Sequence, residues 1–323
     1  MTKAVLVHHT GGPEVLSFEE HAVGAPGAGQ VALRQTAIGL NFIDTYQRSG
    51  LYPVQTPFVA GNEAAGVITA LGDGVSDFQI GDRVAYQGVI GAYAGERLIA
   101  ADRIVPVPDA IDDQTAAAIL LKGLTAYYLL FQTWPLAKGE SILWHAAAGG
   151  TGQIATQWAK ALGATVIGTA GSDEKAALAK AHGCDHVINY NTEDFSAKVR
   201  ELTNGRGVDV VYDGVGKATF DKSLDCLRPR GLMVSFGNAS GVVAIPDITV
   251  LARKGSLYVT RPTGVHYYSQ RTELLTGAKA LFAAVADGSI KVQIKHSFPL
   301  AQAEEAHRAL EDRQTTGSVV LIP

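Results

Sequence analysis

Ser141-Ile-Leu-Trp-His-Ala-Ala-Ala-Gly-Gly-Thr-Gly-Gln-Ile-Ala-Thr-Gln-Trp-Ala-Lys-Ala-Leu-Gly-Ala-Thr-Val-Ile-Gly-Thr-Ala-Gly-Ser172 decides the fold of this chain, because it reads as strand, glycine turn, helix and second strand in one unit. Ser141 to Ala146 is a short, mostly apolar strand. The run Ala148-Gly149-Gly150-Thr151-Gly152 follows, where glycines let the chain turn tightly and let backbone N–H groups approach a pyrophosphate that Cβ atoms would push away. Thr151 to Leu162 has helical periodicity, with Ile154, Ala155, Trp158, Ala159 and Leu162 on one face, so a positive helix N-terminus points at the phosphates. Gly163 stops the helix and Ala164 to Ala170 forms the second strand. Because this context is complete, the glycine run reads as a dinucleotide-binding βαβ signature rather than a structural turn.

Downstream, strands at His186 to Ile188, Val208 to Tyr212, Gly231 to Phe236 and Ser256 to Thr260 alternate with helices, giving a doubly wound α/β sheet of six strands. Upstream, from Met1 to about Asp109, strands are predicted at Ala4 to Val7, Leu16 to Glu19, Val31 to Ile38, Ala65 to Leu71, Asp82 to Ala85 and Ala94 to Ala100, separated by glycine-rich turns. A helical pattern from Asp112 to Phe131 is predicted to break near Lys122-Gly123. After Arg271 the pattern gives a helix to about Asp287, another near Gln302 to Glu311, and a strand Ser318 to Ile322. This tail is expected to return to the first domain, since a six-stranded sheet is already full.

The chain has 323 residues, 47% of them hydrophobic, enough for a large core and two domains. A net charge of −4 without a long Lys/Arg run gives no footprint for nucleic acid. The first residues are too briefly apolar for a secretory signal, and no uncharged stretch suggests membrane insertion, so a cytoplasmic protein is expected. Cys184 and Cys226 cannot build a disulfide framework, and they read as simple thiols in a reducing compartment. His145 reads as packed or solvated rather than as a general base, and His8-His9 is no metal pair, since adjacent strand residues face opposite ways.

Cofactor choice rests on Thr169-Ala-Gly171-Ser172. An NAD site places Asp or Glu at this strand end to accept from the ribose 2′-hydroxyl; here Gly171 leaves space, Ser172 can donate, and Lys175 lies one turn into the next helix, suited to a 2′-phosphate. Asp173 and Glu174 suit the first turn of that helix, with Ser172 as N-cap. NADPH is therefore the expected cofactor, although Lys175 alone reads equally as a solvated helix residue.

The motifs His8-His-Thr-Gly-Gly-Pro-Glu-Val-Leu16, Gly39-Leu-Asn-Phe-Ile-Asp-Thr-Tyr-Gln-Arg-Ser-Gly-Leu-Tyr52, Gly61-Asn-Glu-Ala-Ala-Gly-Val67, Gly81-Asp-Arg-Val84, Leu121-Lys-Gly-Leu-Thr125, Ala146-Ala-Ala-Gly-Gly-Thr-Gly152 and Gly231-Leu-Met-Val-Ser-Phe-Gly-Asn238 resemble the zinc-free quinone oxidoreductase branch of the medium-chain dehydrogenases/reductases, the group that includes zeta-crystallin. The resemblance runs from His8 to Pro323. It implies a GroES-like β-rich catalytic domain at 1–124, completed by 265–323, and a Rossmann domain at 125–264. It adds Tyr190 and Arg313 as 2′-phosphate partners, Arg313 reading otherwise as a surface charge. Asn41, Lys122 and Thr125 resemble the segments that touch the nicotinamide and its ribose, while Val215, Phe236, Gly237 and Ser240 match loops at strand ends; the plainer reading of Phe236 is core packing.

Zinc alcohol dehydrogenases carry Gly-His-Glu where this chain has Gly61-Asn62-Glu63, and neither cysteine lies in the first domain, so no metal is expected. The activity implied is hydride transfer from NADPH to a small-molecule quinone. The alternatives are an enal or enone reductase and a non-catalytic NADPH-binding protein. Asn41, Asp44, Tyr46 and Tyr52 are the catalytic candidates by resemblance. Either tyrosine donates to the oxygen that becomes phenolate or forms an aromatic wall for a flat ring, and Asp44 is better suited to a helix cap than to proton chemistry. A homodimer is expected from the family, with Gly231 to Phe236 and Ser256 to Thr260 as an available edge.

Overall fold

Along Gln30-Val-Ala-Leu-Arg-Gln-Thr-Ala-Ile-Gly-Leu40 the odd-numbered positions from Val31 to Ala37 are buried, the period of a strand with one face on a core. Gln35 is the one polar member of that face. Its amide donates to Ala92 O at 2.8 Å and to Ala94 O, and its oxygen accepts from the Tyr86 hydroxyl, so burial leaves no group unpaired. The computed structural model describes residues 1–323, in two units: Met1–Leu124 with Tyr268–Asp287 and Val292–Pro323, and Thr125–Tyr267 with Gly288–Lys291.

The first unit begins with β1 (Thr2–Val7), β2 (Leu16–His21), β3 (Gln30–Leu40), α1 (Phe42–Arg48), β4 (Phe58–Val59), β5 (Glu63–Leu71), β6 (Arg83–Gln87), β7 (Glu96–Ala100), β8 (Ile104–Pro106) and α2 (Asp113–Tyr128). The second contains β9 (Ser141–Trp144), α3 (Gly150–Ala161), β10 (Thr165–Ala170), α4 (Asp173–Ala181), β11 (His186–Asn189), α5 (Phe195–Leu202), β12 (Val208–Asp213), α6 (Phe220–Cys226), β13 (Leu227–Ser235), α7 (Val250–Arg253), β14 (Tyr258–Thr260) and α8 (Gly264–Tyr267). The chain then returns to the first unit with α9 (Arg271–Ala286), β15 (Ile294–Pro299), α10 (Ala303–Glu311) and β16 (Ser318–Ile322).

Sheet order in the first unit is β15-β16-β3-β5-β6-β8, with β7 also on β3, beside a small sheet β2-β1-β4. The tail enters this sheet: Val319, Val320 and Leu321 pair antiparallel with Leu40, Gly39 and Ile38. The second unit is a parallel sheet in the order β11-β10-β9-β12-β13-β14, reversing direction beside β9 as in a doubly wound nucleotide fold. Its near-continuous apolar strands are covered by helices.

Three sequence expectations change. The helix does not break at Lys122-Gly123; α2 runs through it, and a Cβ on Gly123 would meet the Leu281 side chain at 2.4 Å, so this glycine admits α9 rather than ending α2. Strand β13 starts at Leu227 rather than Gly231 and lies inside the sheet between β12 and β14, so of these two only β14 is an edge. Strands β4, β8 and β15 were not anticipated; two and three residues are too few to show alternation, and β15 alternates only between half-buried and exposed positions, with no fully buried face to announce it. Asp113–Thr133 is long and apolar enough to cross a membrane, and most of it is buried as a core helix.

Candidate active site

In the second unit the turn between β9 and α3 carries the nucleotide signature. Its left-handed residue is Ala146, at φ 53°, whereas the N-cap Gly149 has φ −76°. The glycines therefore serve close approach rather than positive φ. A Cβ on Gly152 would lie 2.5 Å from Ala146 O and 2.7 Å from Ala147 O, so the helix packs directly on its own turn only with glycine there. Gly149 N donates to Ala146 O at 2.9 Å within the turn, but no side chain caps α3 and no acid stands in its first turn, which leaves the N–H groups at Gly150 to Gly152 and the positive end of the helix dipole suited to an anionic pyrophosphate.

At the end of β10 a Cβ on Gly171 would meet the Tyr190 hydroxyl at 2.5 Å, so the phenol lies where an NAD-type carboxylate side chain would start. Ser172 Oγ accepts from Lys175 N at 3.2 Å and is the N-cap of α4. The nearby Asp173 carboxylate accepts from Asn189 Nδ2 at 2.8 Å. The space beside Gly171 that the sequence left for a 2′-phosphate is thus partly taken by the Tyr190 phenol.

The loops after β12 and β13 are laced together. Ser240 N donates to Val215 O at 2.7 Å and Ser240 Oγ accepts from Ala218 N at 2.9 Å. A Cβ on Gly237 would sit 2.2 Å from Gly214 O, and Arg261 donates to Ser235 O and Gly237 O at 2.8 and 3.1 Å. Phe236 is half-buried against Trp144, with ring centroids 5.4 Å apart. His145 is a buried residue: its ring bonds Thr169 Oγ1 at 3.0 Å and Ser223 Oγ at 2.8 Å, and burial lowers its pKa.

In the first unit Asn41 is the N-cap of α1. Asp44 accepts from Asn41 N at 2.8 Å, one half of a capping box, and its other oxygen accepts from Asn62 Nδ2 at 2.7 Å. Asn62 thus joins a hydrogen-bond web at the position where zinc enzymes carry histidine. Asn41 Nδ2 donates to Glu63 Oε2 at 2.8 Å, and the same oxygen lies 3.4 Å from Lys122 Nζ, which also donates to Leu40 O at 3.2 Å. Glu63 Oε1 accepts from Leu121 N at 2.6 Å. Burial raises the Glu63 pKa, opposed by the Lys122 charge.

Tyr46 and Tyr52 are half-buried and meet edge to face at 5.2 Å, with Phe42 6.2 Å from Tyr46, so an aromatic corner lies on α1 and the loop after it. Thr125 opens the second unit within α2, and Arg313 stands after α10 in the first at φ 59°. Arg48, Tyr93, His307 and Glu63 make buried polar contacts that sequence reasoning did not single out as functional. An acid among small apolar residues in Glu63-Ala-Ala-Gly-Val was the one local signal; the others meet only through the fold.

Residues 27–109 match the alcohol dehydrogenase GroES-like domain model and residues 150–277 the zinc-binding dehydrogenase model. No group of three or more His, Cys, Asp or Glu is placed to hold a metal in this chain. The chain is 50% identical to a quinone oxidoreductase of Pseudomonas aeruginosa over all of both chains, and 49% identical to a 2-haloacrylate reductase of a Burkholderia species over all of this chain and 99% of that one. The crystal structure of Escherichia coli quinone oxidoreductase complexed with NADPH superposes with a TM-score of 0.98 at 48% identity, covering 99% of this chain and all of that one. With both domain models matched and relatives alike along its whole length, the chain belongs to the quinone oxidoreductase family of the medium-chain dehydrogenases/reductases.

Proposed function

We propose that this chain is an NADPH-dependent quinone reductase that works without a metal. The observation that carries the reading is the end of β10, where Gly171 and the Tyr190 phenol stand in place of the carboxylate of an NAD site. The uncapped start of α3 and the full-length quinone oxidoreductase relatives support it.

Gly150, Thr151 and Gly152 would bind the pyrophosphate through backbone N–H groups, with Gly149 lining the turn beside them, and Gly171, Ser172, Lys175, Tyr190 and Arg313 would receive the 2′-phosphate. Asn41, Lys122 and Thr125 would hold the nicotinamide end, with Val215, Phe236, Gly237 and Ser240 along the strand ends. When bound, NADPH supplies a hydride to an electron-poor acceptor. The chain's own contribution is placement. Tyr46 and Tyr52 present an aromatic corner to a flat ring, with phenol hydroxyls able to donate to a developing oxyanion. Asp44 is only 1% exposed, so it acts through the residues it holds rather than by touching substrate.

A second reading, reduction of an activated carbon–carbon double bond, is favoured by the 2-haloacrylate reductase relative. Stopped-flow loss of NADPH absorbance with 1,4-benzoquinone, larger naphthoquinones and an enone panel, beside NADH controls, separates the two. NADPH-specific turnover of quinones is expected; turnover of enones alone would replace the first reading by the second. We further read the chain as a cytoplasmic homodimer pairing through β14, an edge strand with Tyr258 exposed, and both thiols, pushed up to about 12 by burial, suit a reducing compartment.

A further inference from the structure

The polar side chains buried around α1 form one line of hydrogen bonds whose direction follows donor by donor. Arginine only donates, so His307 Nδ1, 3.1 Å from the Arg48 guanidinium, accepts, and the proton of the neutral imidazole is assigned to Nε2. Nε2 then donates to the Tyr93 hydroxyl at 2.9 Å, and that hydroxyl gives its single proton to Asp44 Oδ2 at 3.1 Å. Glu311 fixes the head of the line by gripping Arg48 with both oxygens, at 3.0 and 2.7 Å. At the foot, Asp44 also accepts from Asn41 N and Asn62 Nδ2. From His307 onward each donor points toward the Asp44 carboxylate.

We infer that Asp44 is a positioning residue, the charged end of a one-way donor line from Arg48 through His307 and Tyr93, and that its ionised carboxylate fixes the N-terminus of α1 and with it Asn41. The part α1 plays in turnover rests on the quinone reductase reading; the donor line itself does not. The groups acting on Asp44 are Tyr93, Asn62, Asn41 and Lys122 from α2, and the Tyr93 hydroxyl that reaches it is in turn surrounded by Arg48 on α1, Glu63 on β5 and His307 from α10. Burial pushes its pKa up to about 6, against the pull of Asn62, Asn41, Tyr93 and Lys122. A proton added there would meet three donors already aimed at the group and weaken the hold on Asn41. Mild acid therefore loosens the start of α1 without unfolding it.

The test is an infrared titration of the cofactor-free protein, following the C=O stretch of a protonated buried carboxyl, with Asp44→Asn to assign the band. The wild-type midpoint is expected near pH 6. Removing one donor to the charged form, by Tyr93→Phe or independently by Asn62→Ala, should raise it by about one pH unit. His307→Gln, whose amide can accept from Arg48 and donate to Tyr93, should move it far less. The acid limb of kcat/KM for quinone should shift in the same order. A midpoint unmoved in both donor variants, a band that survives Asp44→Asn, or an acid limb indifferent to a shifted midpoint would overturn the inference. Absence of quinone turnover in the wild type would sink the quinone reading instead, leaving the infrared order to decide this one.

Discussion

Gly149 and Gly152 look interchangeable in the sequence, and the structure separates them. On Gly152 an added methyl would be pressed against Ala146 O at 2.5 Å, Ala147 O at 2.7 Å and Ala147 C at 2.8 Å, all backbone, so the clash is relieved only by moving the turn. On Gly149 the nearest atom is Ala146 O at 3.2 Å, and the residue sits at φ −76°, open to any side chain. Alanine returns up to about 1 kcal/mol of helix propensity in the first turn of α3, while overpacking against rigid neighbours costs about 1–3 kcal/mol. With three backbone contacts the second effect wins, and Gly152→Ala should destabilise by about 2 kcal/mol. Displacing the turn should also weaken NADPH by roughly 10- to 30-fold, a loss of about 1.4–2 kcal/mol. Gly149→Ala should cost less than about 1 kcal/mol and leave NADPH affinity within about threefold. Urea unfolding and titration of NADPH fluorescence measure both. Equal effects from the two variants, or wild-type NADPH binding by Gly152→Ala, would refute the view that close approach rather than chain flexibility is what glycine provides here.

Lys175→Ala should weaken NADPH by roughly tenfold or more with little change for NADH, the loss of one charge-assisted contact to a phosphate; an unchanged preference between the two would remove Lys175 from the 2′-phosphate site. Tyr52→Phe should lower quinone kcat while leaving NADPH affinity as it is if the hydroxyl donates, and unaltered kinetics would leave Tyr52 as an aromatic wall. Stability should fall in mild acid. Burial and the Arg48 charge hold the His307 pKa down at about 3 against an unfolded value near 6.5, so its contribution is present above pH 6.5 and is lost as the pH falls toward 3. Asp44, raised to about 6 from 3.8, acts in the opposite sense: its contribution is full below the unfolded value and is lost as the pH rises through 6. Asp44→Asn should therefore show a steeper fall in urea midpoint between pH 6.5 and 4 than the wild type, and a shallower fall would contradict the assignment.

The second unit was largely legible because each of its elements announces itself locally: α3 by its apolar stripe, β10 and β12 by apolar runs between glycines, α4 by Ser172 and its acidic first turn. What local pattern misled was Gly123, where a helix-weakening residue is tolerated because Leu281 needs the space, and β13, where Pro229 and the positive φ of Arg230 hid the start of the strand. In the nucleotide turn the glycines were recognised, but the left-handed position fell to Ala146, which no propensity argument selects. The line from Glu311 to Asp44 was illegible for a simpler reason. Its members are spread from Asp44 to Glu311 in the chain, and a histidine on an amphipathic helix or a tyrosine in a loop gives no sign of the partner it will find.

The pairing of β16 with β3 has a consequence for the order in which this chain comes into being. Strand β3 ends at Leu40 and its partner begins at Ser318, with the whole second unit synthesised between them. During translation the unit from Thr125 to Tyr267 is contiguous and can close its sheet as it leaves the ribosome, whereas Ile38 to Leu40 wait with their ladder groups open. The part made first is thus finished last, and the nascent chain carries an unclosed β-edge for most of its synthesis, which is where a holding chaperone would find its work.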